Sequence, residues 1–163
     1  MNRVDEDFFV GGTLRAQAMD IPAGTIVNAD VAENAGIAAS KNQQYPAKTY
    51  GQAGTAVAAT VIMHVVRGAT GTIKGFVVSN ITANAGASTV TVDLLKNGVS
   101  VLNTVVTLNN ATGNRGVEEG AIDTTALVAD DVLEVVVALA QSGTDALAVG
   151  VAAELRLDEA YPL

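Results

Sequence analysis

The chain contains no cysteine and no tryptophan, has one histidine, and is only 4% aromatic. Without thiols there are no disulfides, no thiolate zinc sites and no cysteine nucleophile. A single imidazole, His64, cannot build a multi-histidine metal centre within one chain. Charged residues are scarce as well: they make up 16% of 163 residues, against roughly 25% in an average globular chain. Those present leave a formal charge of −8, the wrong sign for a protein that grips phosphate backbones through a basic footprint. The aromatic residues, Phe8, Phe9, Tyr45, Tyr50, Phe76 and Tyr161, are scattered and outline no base-stacking platform. No apolar run approaches the roughly 20 residues that span a bilayer; Val135-Val136-Val137-Ala138-Leu139-Ala140 is typical. At the start, Asp5-Glu6-Asp7 breaks the basic-then-apolar pattern of a signal peptide. The expectation is a soluble chain made in the cytoplasm, with no cofactor, no nucleic-acid partner and no membrane partner.

What the chain does have is 49% apolar residues and a length that suits one domain, or one domain plus an arm. Its composition changes near residue 52. Residues 1–52 are rich in Ala, Asn, Gln and Gly and poor in large apolar side chains. Ile21-Pro22-Ala23-Gly24-Thr25 reads as an extended segment with a turn. Asp30 is a plausible N-cap with Glu33 three residues on and Gly36 as the stop, which predicts a helix of one or two turns at most. Residues 38–46 read as an extended polar linker. Such a region cannot form a core of its own. It is either a disordered tail or an arm that folds onto a partner subunit. The spaced apolar anchors Ile21, Ile26, Val27, Val31 and Ile37, together with Tyr45, favour the arm, because pure linkers lack them.

Residues 53–163 read as a β-domain. Ala59, Val61, Met63 and Val65 alternate with Thr60, Ile62, His64 and Val66, which predicts a strand with one wetter face. A second strand runs from Thr72 to Asn80, and residues 82–88 form a loop of small residues. Val90, Val92 and Leu94 alternate cleanly, and Asn97-Gly98 then gives the strongest hairpin signal in the chain. Thr104 to Leu108 continues or restarts a strand, and residues 109–116 make a long polar loop. Residues 117–130 are expected to hold one short strand around Ala121-Ile122 and a turn at Asp123-Thr124-Thr125. Val132 to Leu139 is another strand, turned at residues 141–144. In the last strand Val149, Val151, Ala153, Leu155 and Leu157 face inward, and Gly150, Ala152, Glu154 and Arg156 face outward. Turn signals at roughly 8–12-residue spacing, with no useful helical period, predict an all-β chain: an antiparallel β-sandwich, jelly-roll-like, behind an extended N-terminal arm.

The vocabulary for catalysis is thin. His64 shares a face with Thr60 in this alternation and has no carboxylate near it in sequence, so it reads as a strand-surface or interface histidine rather than a general base. The carboxylate pairs Glu118-Glu119 and Asp130-Asp131 sit among loop residues and read as solvated charge. The Asn-rich stretch 109–116 with Glu118 and Glu119 is a weak calcium pattern. Gly51-Gln52-Ala53-Gly54 leads into a strand, where a phosphate cradle needs a helix N-terminus. No catalytic, metal or cofactor residue is assigned. The small residues Ala148, Gly150 and Ala152 look either like a packed interface or like a second buried face of the same sandwich.

The segments Ile21–Val31 and Ala35–Lys41 resemble an N-terminal segment of tailed-bacteriophage structural proteins. Thr89 to Leu102, with its Lys96-Asn97-Gly98 turn, and Asp123 to Leu133 are similar to the β-domain of the same group, the small head proteins that decorate, or cement, an icosahedral capsid. The resemblance runs from about Ile21 to Leu157 and rests on turn and arm patterns. It implies a non-enzymatic virion protein on the outer capsid surface, a homotrimer that bridges subunits of the major capsid protein and reaches across them with its arm. The other reading is a tail-fibre or baseplate module that binds a host receptor or polysaccharide through loops 82–88 and 109–116.

Overall fold

In a computed structural model the described residues are 47–160. The predicted arm and its anchors Ile21, Ile26, Val27, Val31, Ile37 and Tyr45 lie outside them, as does the predicted short helix. The strands are β1 (Ala47–Gly51), β2 (Ala59–Val65), β3 (Thr70–Ser79), β4 (Thr89–Lys96), β5 (Val99–Ser100), β6 (Val106–Leu108), β7 (Val117–Glu119), β8 (Ala126–Val128), β9 (Val132–Ala140) and β10 (Ala152–Ala160). They form two antiparallel sheets. Sheet I has the order β1-β10-β3-β7, with β8 also on β3; sheet II has the order β2-β9-β4-β5, with β6 also on β4. Along the chain the strands pass back and forth between the sheets, and β1 pairs β10 as β2 pairs β9. That winding is the jelly-roll arrangement the strand pattern predicts.

The alternation of apolar residues explains the layering. Val90, Val92 and Leu94 of β4, Leu133, Val135 and Val137 of β9, and Ala153, Leu155 and Leu157 of β10 are buried, and their odd or even neighbours are not. This period of two turns one row of each strand into the space between the sheets. The interior is almost wholly aliphatic. Among the described residues Phe76 is the one fully buried aromatic ring, with Tyr50 packed at the margin.

The sandwich begins earlier than the composition implies. Residues 47–51, assigned by sequence to the arm, form β1 and pair with Arg156 through Ala152 of β10. One large apolar residue, Tyr50, was too little signal for a strand; β10 supplies the missing order by pairing. The expected strand at Ala121-Ile122 is also corrected. Strands β7 and β8 flank that segment on β3, and residues 120–125 swing away between them. Ile122 bridges instead to Leu102, in the break between β5 and β6 of the other sheet. Asn103 N–H donates to Ala121 O at 2.9 Å and Asp123 N–H to Val101 O at 2.8 Å, so the two interruptions close one side of the sandwich on each other.

Near the end of the chain, Ala148 is buried, not outward, and Val149 is only half-buried, because the alternation restarts at Gly150. Gly150 has φ +68°, and a Cβ there would lie 2.5 Å from Ile81 Cδ1. The left-handed backbone and the close apolar neighbour both require glycine.

Candidate functional site

Two bulges decide where the polar side chains go. In β2 the register against β9 slips between Ile62 and His64, leaving Met63 as the extra residue. Thr60 stands opposite Val136 on the outer face, whereas His64 stands opposite the fully buried Leu133. A bulge re-aims the side chains that follow it. His64 therefore does not share a face with Thr60; it points between the sheets. On β10, Glu159 lies opposite Gly71 of β3, in the row that continues inward from Leu157. The second bulge, at Lys74 of β3, opposes Arg156 and Leu157 and keeps both Ile73 and Phe76 in the core.

These placements bring His64 Nε2 and Glu159 Oε1 together, ninety-five residues apart in sequence, with side-chain exposures of 12% and 1%. The other carboxylate oxygen, Oε2, accepts the backbone N–H of Arg67 at 3.0 Å and of Gly68 at 2.9 Å. Gly68 eases this approach, since a Cβ on it would sit tightly, 3.0 Å from Ala160 O and 3.1 Å from Glu159 Cβ. Burial pushes the Glu159 carboxyl up, but the N–H bonds from Gly68 and Arg67 and the His64 imidazole outweigh it and hold it below the usual carboxylate range. The sequence reading missed this pair because its partners meet only through the fold and the bulge reverses the apparent face.

A second buried carboxylate lies at the same end of the sandwich, and it corrects the reading of Asp130-Asp131 as solvated charge. Asp130 is exposed, 3.6 Å from Arg67, but Asp131 is 5% exposed. Asp131 accepts from Val128 N–H at 2.9 Å and from Asn97 Nδ2 at 2.7 Å, and Lys96 Nζ is 3.8 Å away. Asn97 Oδ1 in turn accepts Val132 N–H at 2.8 Å. The Asn97-Gly98 turn, with φ of 52° and 81°, is thus a hairpin turn and also a clamp on the turn between β8 and β9. Burial raises the Asp131 carboxyl, and the Val128 N–H, the Asn97 amide and Lys96 together bring it below its ordinary value.

Both carboxylates have folded-state pKa values below their unfolded ones. Their contribution to stability is therefore full above the ordinary values of 4.5 for Glu159 and 3.8 for Asp131, and is lost as pH falls through the folded values. Thermal unfolding followed from pH 6 down to about pH 2 is expected to show a falling midpoint below about pH 4.5. The Glu159→Gln/Asp131→Asn double variant is expected to show a shallower fall. At the clamp, Asn97→Gly keeps a turn-compatible residue and removes the side-chain bonds, so it isolates them. It is expected to cost about 1–2 kcal/mol, and Asn97→Ala more, because alanine also strains at positive φ; urea unfolding of both measures the difference.

The opposite end of the sandwich gathers the loops 52–58, 80–88, 109–116 and 141–151. Gly150 N–H donates to Gly54 O at 2.9 Å, Ala85 N–H to Ala146 O at 2.8 Å, and Ala83 N–H to Asn114 Oδ1 at 2.9 Å. The buried Asn84 bridges Leu108 O at 2.8 Å and Ala148 N–H at 2.9 Å. Here a shallow depression of 330 Å³ lies between Gly86–Thr89 and Asn109–Ala111. Two oxygens of the weak calcium pattern are already committed: Asn109 Oδ1 takes Ala111 N–H at 2.8 Å and Thr112 N–H at 3.2 Å, and Asn114 Oδ1 takes Ala83 N–H. Among the described residues no three acidic, histidine or cysteine side chains gather as metal ligands.

The outer face of sheet II is the third feature. Register places Thr60 and Ile62 of β2, Glu134, Val136, Ala138 and Ala140 of β9, Thr89, Thr91, Asp93 and Leu95 of β4, and Thr107 of β6 on it. Short and β-branched side chains dominate, and its charges are two carboxylates. The outer face of sheet I differs in carrying both signs of charge, Lys74, Arg156, Glu154 and Glu119, and a 480 Å³ groove there is lined by Lys74, Gly75, Glu119 and Arg156 among others.

The architecture is thus a jelly-roll sandwich pinned at one end by two buried carboxylates, with knitted loops at the other and one face of mostly short and β-branched side chains. No protein-family model matches the chain, and no curated protein matches it.

Proposed function

We propose that the chain is a non-enzymatic virion structural protein that decorates the outer surface of a phage capsid and bridges subunits of the major capsid protein. The observation that carries this reading is the outer face of sheet II, a surface of mostly short and β-branched side chains on which register places no cation. Nine of the eleven side chains that register places on this face are uncharged, which suits it to lying against another protein. A bridging protein buries area only in the assembled lattice, so it stabilises the lattice by mass action. Many such contacts on a rigid shell add through avidity. The resemblance of Ile21–Val31 and Thr89–Leu102 to decoration proteins points the same way.

Copy number per particle, measured by quantitative mass spectrometry on purified virions, tests the proposal. Hundreds of copies in fixed ratio to the major capsid protein are expected; a handful per particle would place the protein in the tail. One observation favours a second reading, a receptor- or polysaccharide-binding module. The loops 82–88 and 109–116 meet around one depression of 330 Å³ lined by Ser88, Thr89 and Asn110 among others. Glycan-array binding that Asn110→Ala and Ser88→Ala abolish would support it.

A further inference from the structure

The free edges of the two sheets are not alike. On sheet I one edge is β1, which carries Lys48, and the other is the interrupted pair β7 and β8, three residues each, with Glu118 and Glu119 on β7. On sheet II one edge is the interrupted pair β5 and β6, of two and three residues. Charge and shortness are the usual protections of a sheet edge. The remaining edge, β2, is seven residues long, Ala-Thr-Val-Ile-Met-His-Val, with no Pro, Lys, Arg, Asp or Glu. Among the described residues its strand partner is β9 alone. Its bulge lies at Met63, past the strand's centre, and leaves the β-branched run Thr60-Val61-Ile62 straight. Val61 and Ile62 are 40% and 59% exposed, and Val57 on the approach is 59% exposed.

We propose that β2 is a homotypic docking edge: two copies of this chain pair antiparallel along Thr60–Ile62 about a two-fold axis at Val61. Directly opposed antiparallel residues share a face of the sheet, and Val61 is the middle of the exposed uncharged run Thr60–Ile62. Centring on Val61 sets Thr60 against Ile62 of the second copy, so the outer faces of the two sheets II become continuous and the two Val61 side chains meet on the inner side. Charge selects the occupant. At −8 per chain, most contacts between copies bring acids together, whereas this edge carries no charged residue from Ala59 to Met63. The edge is also self-complementary in length and face, as an isologous contact must be. So short a contact falls below the roughly 1,200 Å² of standard stable interfaces, so the dimer is reversible and concentration-dependent. The inference stands independently of capsid decoration.

The absence of cysteine makes the test clean, because any disulfide in a Val61→Cys variant is intermolecular. Directly opposed residues hold their Cβ atoms about 4.5–5.5 Å apart, within reach of bridging after small adjustment. Full-length Val61→Cys under mild oxidant is expected to give a covalent dimer, and Val128→Cys on the β8 edge is expected to give no disulfide-linked dimer. Sedimentation velocity of the wild-type chain is expected to show monomer–dimer exchange, shifted at least tenfold to higher concentration by the exposed substitution Ile62→Lys, with circular dichroism confirming that the variant is folded. Three results would each overturn the proposal: a wild-type chain that stays monomeric at high concentration, association that Ile62→Lys leaves unchanged, or a trimer whose Val61→Cys form gives no disulfide.

Discussion

Phe76→Ala is expected to be the most damaging single core substitution, costing about 4 kcal/mol and lowering the thermal midpoint by roughly 15 °C. Phe76 is 1% exposed and, among the described residues, is the one aromatic ring fully enclosed by an otherwise aliphatic interior. It also sits where the fold is least regular. A Cβ built on Gly120 would lie 3.0 Å from the Phe76 ring, 3.1 Å from Leu102 and 3.3 Å from Val106. The ring thus fills the space where the two interrupted strand pairs close on each other. Removing it takes away packing and also the body on which residues 101–106 and 120–125 rest. The loss is a large share of a typical domain stability of roughly 5–15 kcal/mol. Urea unfolding measures it, and Phe76→Leu, which retains much of the volume, is expected to cost less than half as much.

Glu159→Ala is expected to cost about 3 kcal/mol, far more than a surface carboxylate is worth. The side chain is 1% exposed, and its loss strands the N–H groups of Arg67 and Gly68 and the imidazole of His64 together. Unsatisfied buried donors cost more than the bonds they made were worth. Glu159→Gln retains an acceptor and is expected to cost less than the alanine variant. A double-mutant cycle of His64→Ala with Glu159→Ala reads the coupling directly, and a value near zero would mean that the backbone donors alone hold the carboxylate. The pair joins β2 of one sheet to β10 of the other, so the same variants are expected to raise amide exchange in residues 64–68 ahead of the central strands.

Much of this architecture was legible in the sequence where the period of two was unbroken. Val90, Val92 and Leu94 announced their inward row, and Asn97-Gly98 announced the one tight hairpin. Legibility failed at each irregularity. The bulge at Met63 inverted the face of His64, and the one at Lys74 broke the alternation of β3. The excursion at residues 120–125 hid two strands of three residues, too short to show a period. Asp131 looked solvated because its partners Asn97 and Lys96 lie thirty-odd residues upstream, on a turn recognised only for its backbone. Of the sites, the loops 82–88 and 109–116 were named correctly as loops, but their meeting at one depression came only with the fold.

What the sequence determined by itself was the class: a β-domain of two layers with alternating buried rows, in a chain without thiols and with few charges. Local periodicity and turn chemistry act within a few residues, and those are the distances a sequence displays. The tertiary structure alone decided which carboxylates are buried, which way His64 points and which sheet edge is left open. Each depends on register between strands distant in the chain, and a slip of one residue turns every following side chain to the opposite face.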